Sequence, residues 1–271
     1  MLIDASTGSA STLNKVEWVD THSHLNFKDF QKDATEVIER SLAGGVWMIN
    51  VGSQYSTSER AVELAERYPE GVYAAIGLHP IHAIDEEFNY EEYKKLALSD
   101  SRRVVAIGEI GLDYKSEYVL SKEKQREVLL KQLDLSKELN LPVIIHCRMA
   151  HDDLIKEIRS RNEIGSPKIT GVIHCFTGNW REAQEYLDMG FYLGFNGVIF
   201  KLNLDEVIEK TPLERILIET DCPYLTPPQE EGRNEPLYIK YVAEKIAQLR
   251  NITVDQVAEA TAQNAKKLFQ I

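Results

Sequence analysis

Short apolar runs alternate with amphipathic segments along most of this chain. Runs rich in β-branched residues predict strands, and segments with apolar residues at a helical period predict the helices between them. The predicted strands are Val16–Asp20, Val46–Val51, Val72–Ile76, Val104–Ile107, Val143–Ile145, Gly171–Ile173, Tyr192–Gly194 and Ile216–Ile218. The predicted helices are Ala34–Leu42, Glu59–Tyr68, Glu91–Leu98, Lys122–Leu139, Asp152–Arg161, Arg181–Met189, Leu204–Lys210, Leu237–Arg250 and Val254–Phe269. Eight strands alternating with helices, without a linker-like stretch, predict a single α/β domain, a closed (β/α)8 TIM-type barrel over residues 16–271.

Composition agrees with this fold and adds an expectation for the N-terminus. The chain has 271 residues, of which 43% are hydrophobic, and none of its apolar runs is long enough to span a bilayer. Residues 1–15 lack the basic start and the sustained apolar segment of a secretory signal. We interpret them as a flexible N-terminal extension and expect a cytoplasmic protein.

Polar residues with metal-binding chemistry follow the predicted strands. Five of the seven histidines stand at the end of an apolar run, and so do two acidic residues. Parallel strands of a barrel deliver such residues to one rim, at the carboxyl ends of the strands. The set is His22, His24, His79, Glu109, His146, His174 and Asp221. Imidazoles and carboxylates around one mouth are the ligands of a two-metal hydrolase.

Spacing assigns further roles near these residues. His22 and His24 are two residues apart at a strand end, so both project from one face and can hold one ion together. Asp20 lies one step deeper on the same face, where it is expected to orient the histidines. Each of the three cysteines directly follows a proposed ligand. Strand alternation predicts that Cys147, Cys175 and Cys222 point away from the mouth into buried packing.

At this point the sequence resembles a known family. The motifs DTHSHL, GEIGLDY, IHCRMAHDDL, GVIHCFTG, IETDCPYLTP and GRNEP are similar, in order and spacing, to those of the TatD family of metal-dependent deoxyribonucleases, which belongs to the amidohydrolase-like barrels. The resemblance extends over residues 16–271. It implies that His22, His24 and Asp221 bind one ion, that His146 and His174 bind a second, and that Glu109 bridges the two.

This ligand set implies a mechanism. Two divalent ions lower the pKa of a water molecule from about 15.7 toward roughly 7 and polarise a phosphoryl oxygen. We expect Asp221 and Glu109 to be the catalytic residues, with Asp221 both a ligand and the general base. Mixed imidazole and carboxylate ligands suit Zn, Mn or Ni, and a bridging carboxylate also admits Mg.

Substrate contacts are less specifically indicated. His79 at the third strand end is expected either to touch a substrate phosphate or to brace its loop. Arg148 and Arg233 are candidate phosphate contacts because a guanidinium matches phosphate geometry. Near the rim, Phe176, Trp180 and Tyr224 are candidates to stack on a terminal base, although ordinary loop packing is the favoured interpretation of each. Asp113, Tyr114, Asn234 and Glu235 are interpreted as residues that fix loop shape.

The net charge of −12 restricts the substrate. An acidic protein lacks the broad basic face that coats a duplex, yet a cationic metal cleft can engage a few phosphates. The charge and the site therefore predict an exonuclease-like hydrolase that acts on free single-stranded ends, and the family resemblance implies that the substrate is DNA and the activity that of a 3′-5′ phosphodiesterase. A deacylase or amidohydrolase acting on a carboxylic ester or amide, such as a mischarged aminoacyl-tRNA, remains open, as does a non-catalytic metal-binding protein. No membrane partner is expected. The sequence leaves the oligomeric state open, and a monomer is compatible with it.

Overall fold

The strands form one parallel sheet whose spatial order follows the chain. The computed structural model describes residues 18–99, 103–115, 121–162 and 167–271. The predicted extension 1–15 and the first two residues of the predicted strand 16–20 lie outside this part of the chain. The eight strands are β1 (Trp18–Ser23), β2 (Val46–Val51), β3 (Val72–Ile76), β4 (Val104–Asp113), β5 (Val143–Arg148), β6 (Gly171–Ile173), β7 (Tyr192–Phe195) and β8 (Ile216–Ile218).

Helices connect successive strands. They are α1 (Ala34–Ala43), α2 (Tyr55–Glu66), α3 (Tyr90–Ala97), α4 (Lys122–Leu139), α5 (His151–Arg161), α6 (Trp180–Asp188), α7 (Asp205–Lys210), α8 (Ile239–Arg250) and α9 (Val254–Phe269). Local signals set several of their ends: Thr253 and Gln256 form a capping box at the start of α9, and Asn140 takes the left-handed conformation after α4. Among the described residues, no helix is long and apolar enough to cross a membrane.

The core has two parts because strand side chains alternate. On β5, Val143 and Ile145 pack in the larger cluster against the surrounding helices, whereas Ile144 belongs to a second cluster with residues of the other strands. This second cluster also contains Leu268 and Phe269 of α9. The last helix therefore covers one end of the barrel, and the carboxyl ends of the strands surround the opposite end.

The barrel closes between β8 and β1 near this open end. The Asp221 backbone N–H donates to the His22 carbonyl at 2.8 Å, and the His24 N–H donates to the Cys222 carbonyl at 2.9 Å. Asp20 supports this seam, since its carboxylate accepts the Thr220 N–H at 2.9 Å and the Thr220 hydroxyl at 2.6 Å. Burial raises the pKa of Asp20 to about 7, although the hydrogen bonds from Thr220 oppose the shift.

The predicted (β/α)8 barrel is confirmed, and most predicted elements agree with the structure within two residues. Three strands run at least three residues further than predicted: β1 continues to Ser23, β4 to Asp113 and β5 to Arg148. Glu109 and His146 therefore lie inside strands rather than at their tips. The pairing of β4 with β5 shifts register between Ile107 and Ile110, at the position of Glu109.

Candidate metal centre

Two histidines of β1 form one side of the centre. His22 lies within β1 and His24 directly after it, and their Nε2 atoms are 3.1 Å apart. Asp221, three residues after β8, places Oδ1 3.3 Å from His24 Nε2 and 3.9 Å from His22 Nε2. Asp221 has a φ of 57°, which turns the chain sharply at the seam. These three residues occupy one sector of the mouth, as the two-apart spacing and the motif order predict.

Glu109 lies between this sector and the other histidines. Its Oε2 is 3.5 Å from His22 Nε2, on the side of the β1 pair. Its Oε1 is 3.0 Å from His146 Nδ1 and 3.3 Å from His174 Nε2. The two oxygens of one buried carboxylate thus face two different sets of imidazoles.

Each of three ligand candidates is oriented through its outer ring nitrogen. His24 Nδ1 is 2.8 Å from the Val51 carbonyl, which can only accept, so this nitrogen carries a proton. His146 Nε2 is 2.9 Å from Asp113 Oδ2, and His174 Nδ1 is 2.9 Å from Glu219 Oε1. A metal-binding histidine characteristically donates its other N–H to a carboxylate or carbonyl. The inner nitrogens are therefore the ones available to an ion.

The electrostatics of the centre follow from burial and close opposite charges. Burial alone raises the pKa of Glu109, but His79, His174 and His22 outweigh it and lower that pKa well below its usual value. Burial lowers the pKa of His174, whereas Glu219 and Glu109 outweigh it and raise that pKa well above normal. The carboxylate of Glu109 is thus held ionised at the centre of the cluster.

The donor set fits divalent metal ions. In its neutral form the His24 ring, which donates its Nδ1–H to the Val51 carbonyl, has a bare lone pair on Nε2, and this atom faces His22 Nε2. Two nitrogen ligands of one ion, each about 2.1 Å from it, stand about 3.0–3.4 Å apart for angles of about 90–109° at the metal. The observed 3.1 Å separation matches that spacing. Groups of residues that could hold an ion include His22 with His24 and Glu109, and Glu109 with His79 and His146.

His79 contacts both its own loop and the candidate metal centre. Its Nδ1 accepts the Ile81 backbone N–H at 3.2 Å, so in the neutral ring the proton is on Nε2. That Nε2 is 3.3 Å from Glu109 Oε1. Burial lowers the pKa of His79 to about 4. The ring thus braces its loop and also presents a neutral N–H donor at the mouth.

The two candidate phosphate contacts, Arg148 and Arg233, lie in different surroundings. Arg148, the last residue of β5, is exposed and lines the cavity above the centre. Arg233 instead donates to both carboxylate oxygens of Asp33, at 3.1 and 2.5 Å, and lies 3.9 Å above the Phe30 ring. Arg233 does not line this cavity. The interpretation of Arg233 as a phosphate contact is therefore not supported, because Asp33 already binds its guanidinium.

One prediction about the cysteines was wrong. Cys175 follows β6 with a φ of 45°, so strand alternation no longer applies to it. Its Sγ lies within 4.8 Å of ligand atoms of His174 and Asp221, at the mouth rather than behind it. Burial raises the pKa of this thiol to about 12, which keeps it protonated and neutral. Cys147 and Cys222 are buried, as expected.

Sequence reasoning also missed an acidic residue and misread another. Glu219 is fully buried, and its Oε1 accepts from His174, from the Cys175 N–H at 2.7 Å and from the Asn196 amide at 3.0 Å. Asp113, interpreted only as fixing a loop, also holds His146. The available signal was the position of each acid at a strand end: Asp113 ends β4, and Glu219 directly follows β8.

A (β/α)8 barrel with a histidine–carboxylate cluster at the carboxyl ends of its strands defines the class of metal-dependent hydrolases. Comparison with known proteins gives the family. Residues 19–270 match the model of the TatD related DNase family. The chain belongs to this family, which confirms the resemblance seen in its motifs.

Individual relatives cover nearly the whole chain. The "uncharacterized metal-dependent hydrolase YabD" of Bacillus subtilis is 45% identical over 257 residues, 93% of this chain and 98% of that protein. The "3'-5' ssDNA/RNA exonuclease TatD" of Salmonella typhimurium is 34% identical over 93% of this chain and 98% of that protein. Among solved structures, the TatD homologue YJJV of Escherichia coli superposes with a TM-score of 0.86 at 31% identity, covering 94% of this chain and 99% of that one.

The position of Glu109 between two ligand sets predicts an unequal effect of two substitutions. Glu109→Ala is expected to lower metal content in both sets, because it removes a carboxylate whose two oxygens face different sets. His146→Ala is expected to empty mainly one, since His146 contacts a single oxygen of Glu109. Elemental analysis of purified, metal-reconstituted variants measures this. Full metal content in Glu109→Ala would place the bridge on another residue.

Proposed function

We propose that this protein is a divalent-metal-dependent phosphodiesterase that removes nucleotides from single-stranded DNA ends, in the 3′-5′ direction. The observation that carries the proposal is Glu109, whose two carboxylate oxygens face two separate sets of nitrogen ligands. We assign one ion to His22, His24 and Asp221 and a second to His146 and His174, with Glu109 shared. Relatives named as exonucleases and deoxyribonucleases support the choice of a phosphodiester substrate.

The cavity above the centre supports an extended substrate. Its volume is about 1120 Å³, and its walls include His24, Glu109, His146, His174 and Asp221. Small-molecule sites usually fall in the range of about 300–1,000 Å³. A cavity at or above that range, open on one side, has room for more than one nucleotide.

The protein's residues have distinct parts in the reaction. Divalent ions bound here supply Lewis acidity toward a phosphoryl oxygen and lower the pKa of an attacking water. Asp221 has one oxygen directed at His24 and accepts the proton of that water. Burial raises the pKa of Asp221, but His24, His174 and His22 outweigh it and keep the group ionised. His79 shares its Nε2–H between Glu109 Oε1, at 3.3 Å, and a phosphate oxygen in the cavity, and exposed Arg148 binds a flanking phosphate.

The net charge of the chain favours ends over duplex interiors. With a charge of −12, the surface repels a polyanion except at the metal mouth. A free single-stranded end enters a pocket at little unpairing cost, whereas an internal duplex phosphate requires the helix to be deformed. Weak overall affinity and a shallow salt dependence follow from this arrangement.

The central test compares a closed circular single strand with the same strand linearised. We expect metal-reconstituted protein to degrade the linear strand and to leave the circle intact, because only the linear strand offers an end. Gel analysis of end-labelled DNA measures both. Equal cleavage of the two would exclude end-dependence. Failure to cleave either, together with hydrolysis of a carboxylic ester, would replace the proposal with a deacylase.

The assignment of Asp221 as general base predicts a loss of turnover. Asp221→Asn retains an oxygen ligand of similar shape but removes most of the basicity. It is expected to lower kcat by roughly 10²–10⁴-fold while changing KM much less. Steady-state kinetics with metal content measured on the same sample test this, and Asp152→Asn on the exposed face of α5 serves as control. Near-normal kcat in Asp221→Asn with its metals bound would show that another group accepts the proton.

Replacing Arg148 and replacing Arg233 by alanine are expected to have different effects. Arg148→Ala is expected to raise KM for an oligonucleotide and to reduce the slope of log affinity against log salt by about 1, with unchanged thermal stability. Arg233→Ala is expected to lower the melting temperature, because it breaks the Asp33 ion pair, and to leave the salt slope unchanged. KM at several salt concentrations and thermal unfolding distinguish the two. If Arg233→Ala reduced the salt slope and Arg148→Ala lowered only the melting temperature, Arg233 would be the phosphate contact and Arg148 the structural residue.

A further inference from the structure

The mouth of the cavity carries a concentration of exposed apolar side chains. Among the described residues, five large hydrophobic side chains are exposed, and three of them line this one cavity. They are Met149, Leu202 and Tyr224, with exposed fractions of 74%, 45% and 54%. Single exposed apolar residues need no explanation, but a group around a polar site marks a surface that contacts a ligand.

Tyr224 is held rigidly beside the centre. Its backbone N–H donates to the Asp221 carbonyl at 3.0 Å, and its own carbonyl accepts the Asn234 side-chain amide at 2.7 Å. The same amide of Asn234 also donates to the Thr220 carbonyl, so this loop is tied to the seam at both ends. The Tyr224 ring centroid lies 6.4 Å from that of His24. These hydrogen bonds fix the backbone that carries the ring, and a tyrosine side chain, with two rotatable bonds, loses little entropy when a ligand stacks on it.

Apolar surface reaches the cavity from two sides of the mouth. Leu202 follows β7, which is adjacent to β8, so Leu202 and Tyr224 belong to neighbouring loops. The Leu202 N–H donates to the Val198 carbonyl at 2.9 Å, which fixes its position. Met149 follows β5, three strands from β8, and has a φ of 55°. Leu202 and Tyr224 are therefore paired on adjacent loops, whereas Met149 lies on the β5 side of the cavity, next to Arg148.

Two polar side chains of the same mouth follow other strands than Leu202 and Tyr224 do. Arg148 and the imidazole of His79 border the cavity after β5 and β3, whereas the loops after β7 and β8 present Leu202 and Tyr224. A nucleotide has the same division, with an anionic phosphate on one side and a flat, largely uncharged base on the other. Bases taken out of a helix are characteristically held between aromatic and aliphatic side chains.

We propose that Tyr224 and Leu202 form a nucleobase subsite, which holds the base of the terminal nucleotide beside the bond to be cleaved. This inference rests on the proposed phosphodiesterase function and adds to it the group that the enzyme recognises. The subsite is sequence-tolerant, because every base has a face that can stack. It also selects against duplex ends, whose terminal base is already stacked on its neighbour and paired.

The test uses two single-stranded oligonucleotides that differ only at the 3′-terminal nucleotide. One carries a normal base there, and the other carries a tetrahydrofuran residue without a base. The metal-loaded protein is expected to cleave the normal end between about 5-fold and about 100-fold faster in kcat/KM, the range of a single stacking contact. In Tyr224→Ala and in Leu202→Ala this ratio is expected to fall toward one, through slower cleavage of the normal end alone.

Two control variants accompany the test. Tyr224→Phe keeps the ring and is expected to keep the ratio, and Leu98→Ala removes an exposed apolar side chain that does not line the cavity. Metal content and thermal unfolding of each variant establish that the centre is intact. A ratio near one in the unmodified protein, or an unchanged ratio in both alanine variants, overturns the subsite while the nuclease activity stands. Absence of cleavage of either oligonucleotide by the unmodified protein overturns the proposed function as well.

Discussion

The burial of one carboxylate among imidazoles is the constraint on which the site depends. Glu109 is almost fully removed from water, and an isolated buried charge is too costly to persist. Nitrogens of His22, His79, His146 and His174 lie 3.0–3.5 Å from its oxygens and offset that cost. These four rings come from β1, the loop after β3, β5 and the turn after β6, so these parts of the barrel have to be assembled before Glu109 is compensated.

A second layer of polar groups holds the imidazoles in turn. Val51 fixes His24 through a carbonyl, Asp113 fixes His146, and Glu219 fixes His174 while also accepting from Cys175 and Asn196. Val51, Asp113 and Glu219 each belong to a strand or to the turn next to it, so the barrel fixes the orientation of the three rings. Catalytic geometry and fold stability are therefore supported by the same hydrogen bonds.

The periodicity of the chain predicted the barrel and the rim on which the candidate metal ligands lie, because the direction of a parallel strand fixes the end at which its last residues emerge. It did not predict which way a side chain points after the strand has ended. Cys175 and Asp221 both have positive φ, and that turn reverses the expected facing of Cys175. The sequence also did not reveal contacts between residues that are distant along the chain. The Arg233 guanidinium pairs with Asp33, and Glu219 accepts a hydrogen bond from His174. Alternation is a local rule, whereas these contacts are set by the tertiary fold.

The seam between the first and last strands has a consequence for biosynthesis. Asp20 and Thr220, which join there, are 200 positions apart in the chain. A ribosome adding about 5–20 residues per second needs roughly 10–40 s to make the second after the first. During that interval the nascent chain carries the His22 and His24 pair but neither the opposing Asp221 nor a closed barrel. A polypeptide that terminates before β8 thus leaves the ribosome without the candidate ligand Asp221, and the cluster at the mouth is assembled only when the last fifth of the chain has been made.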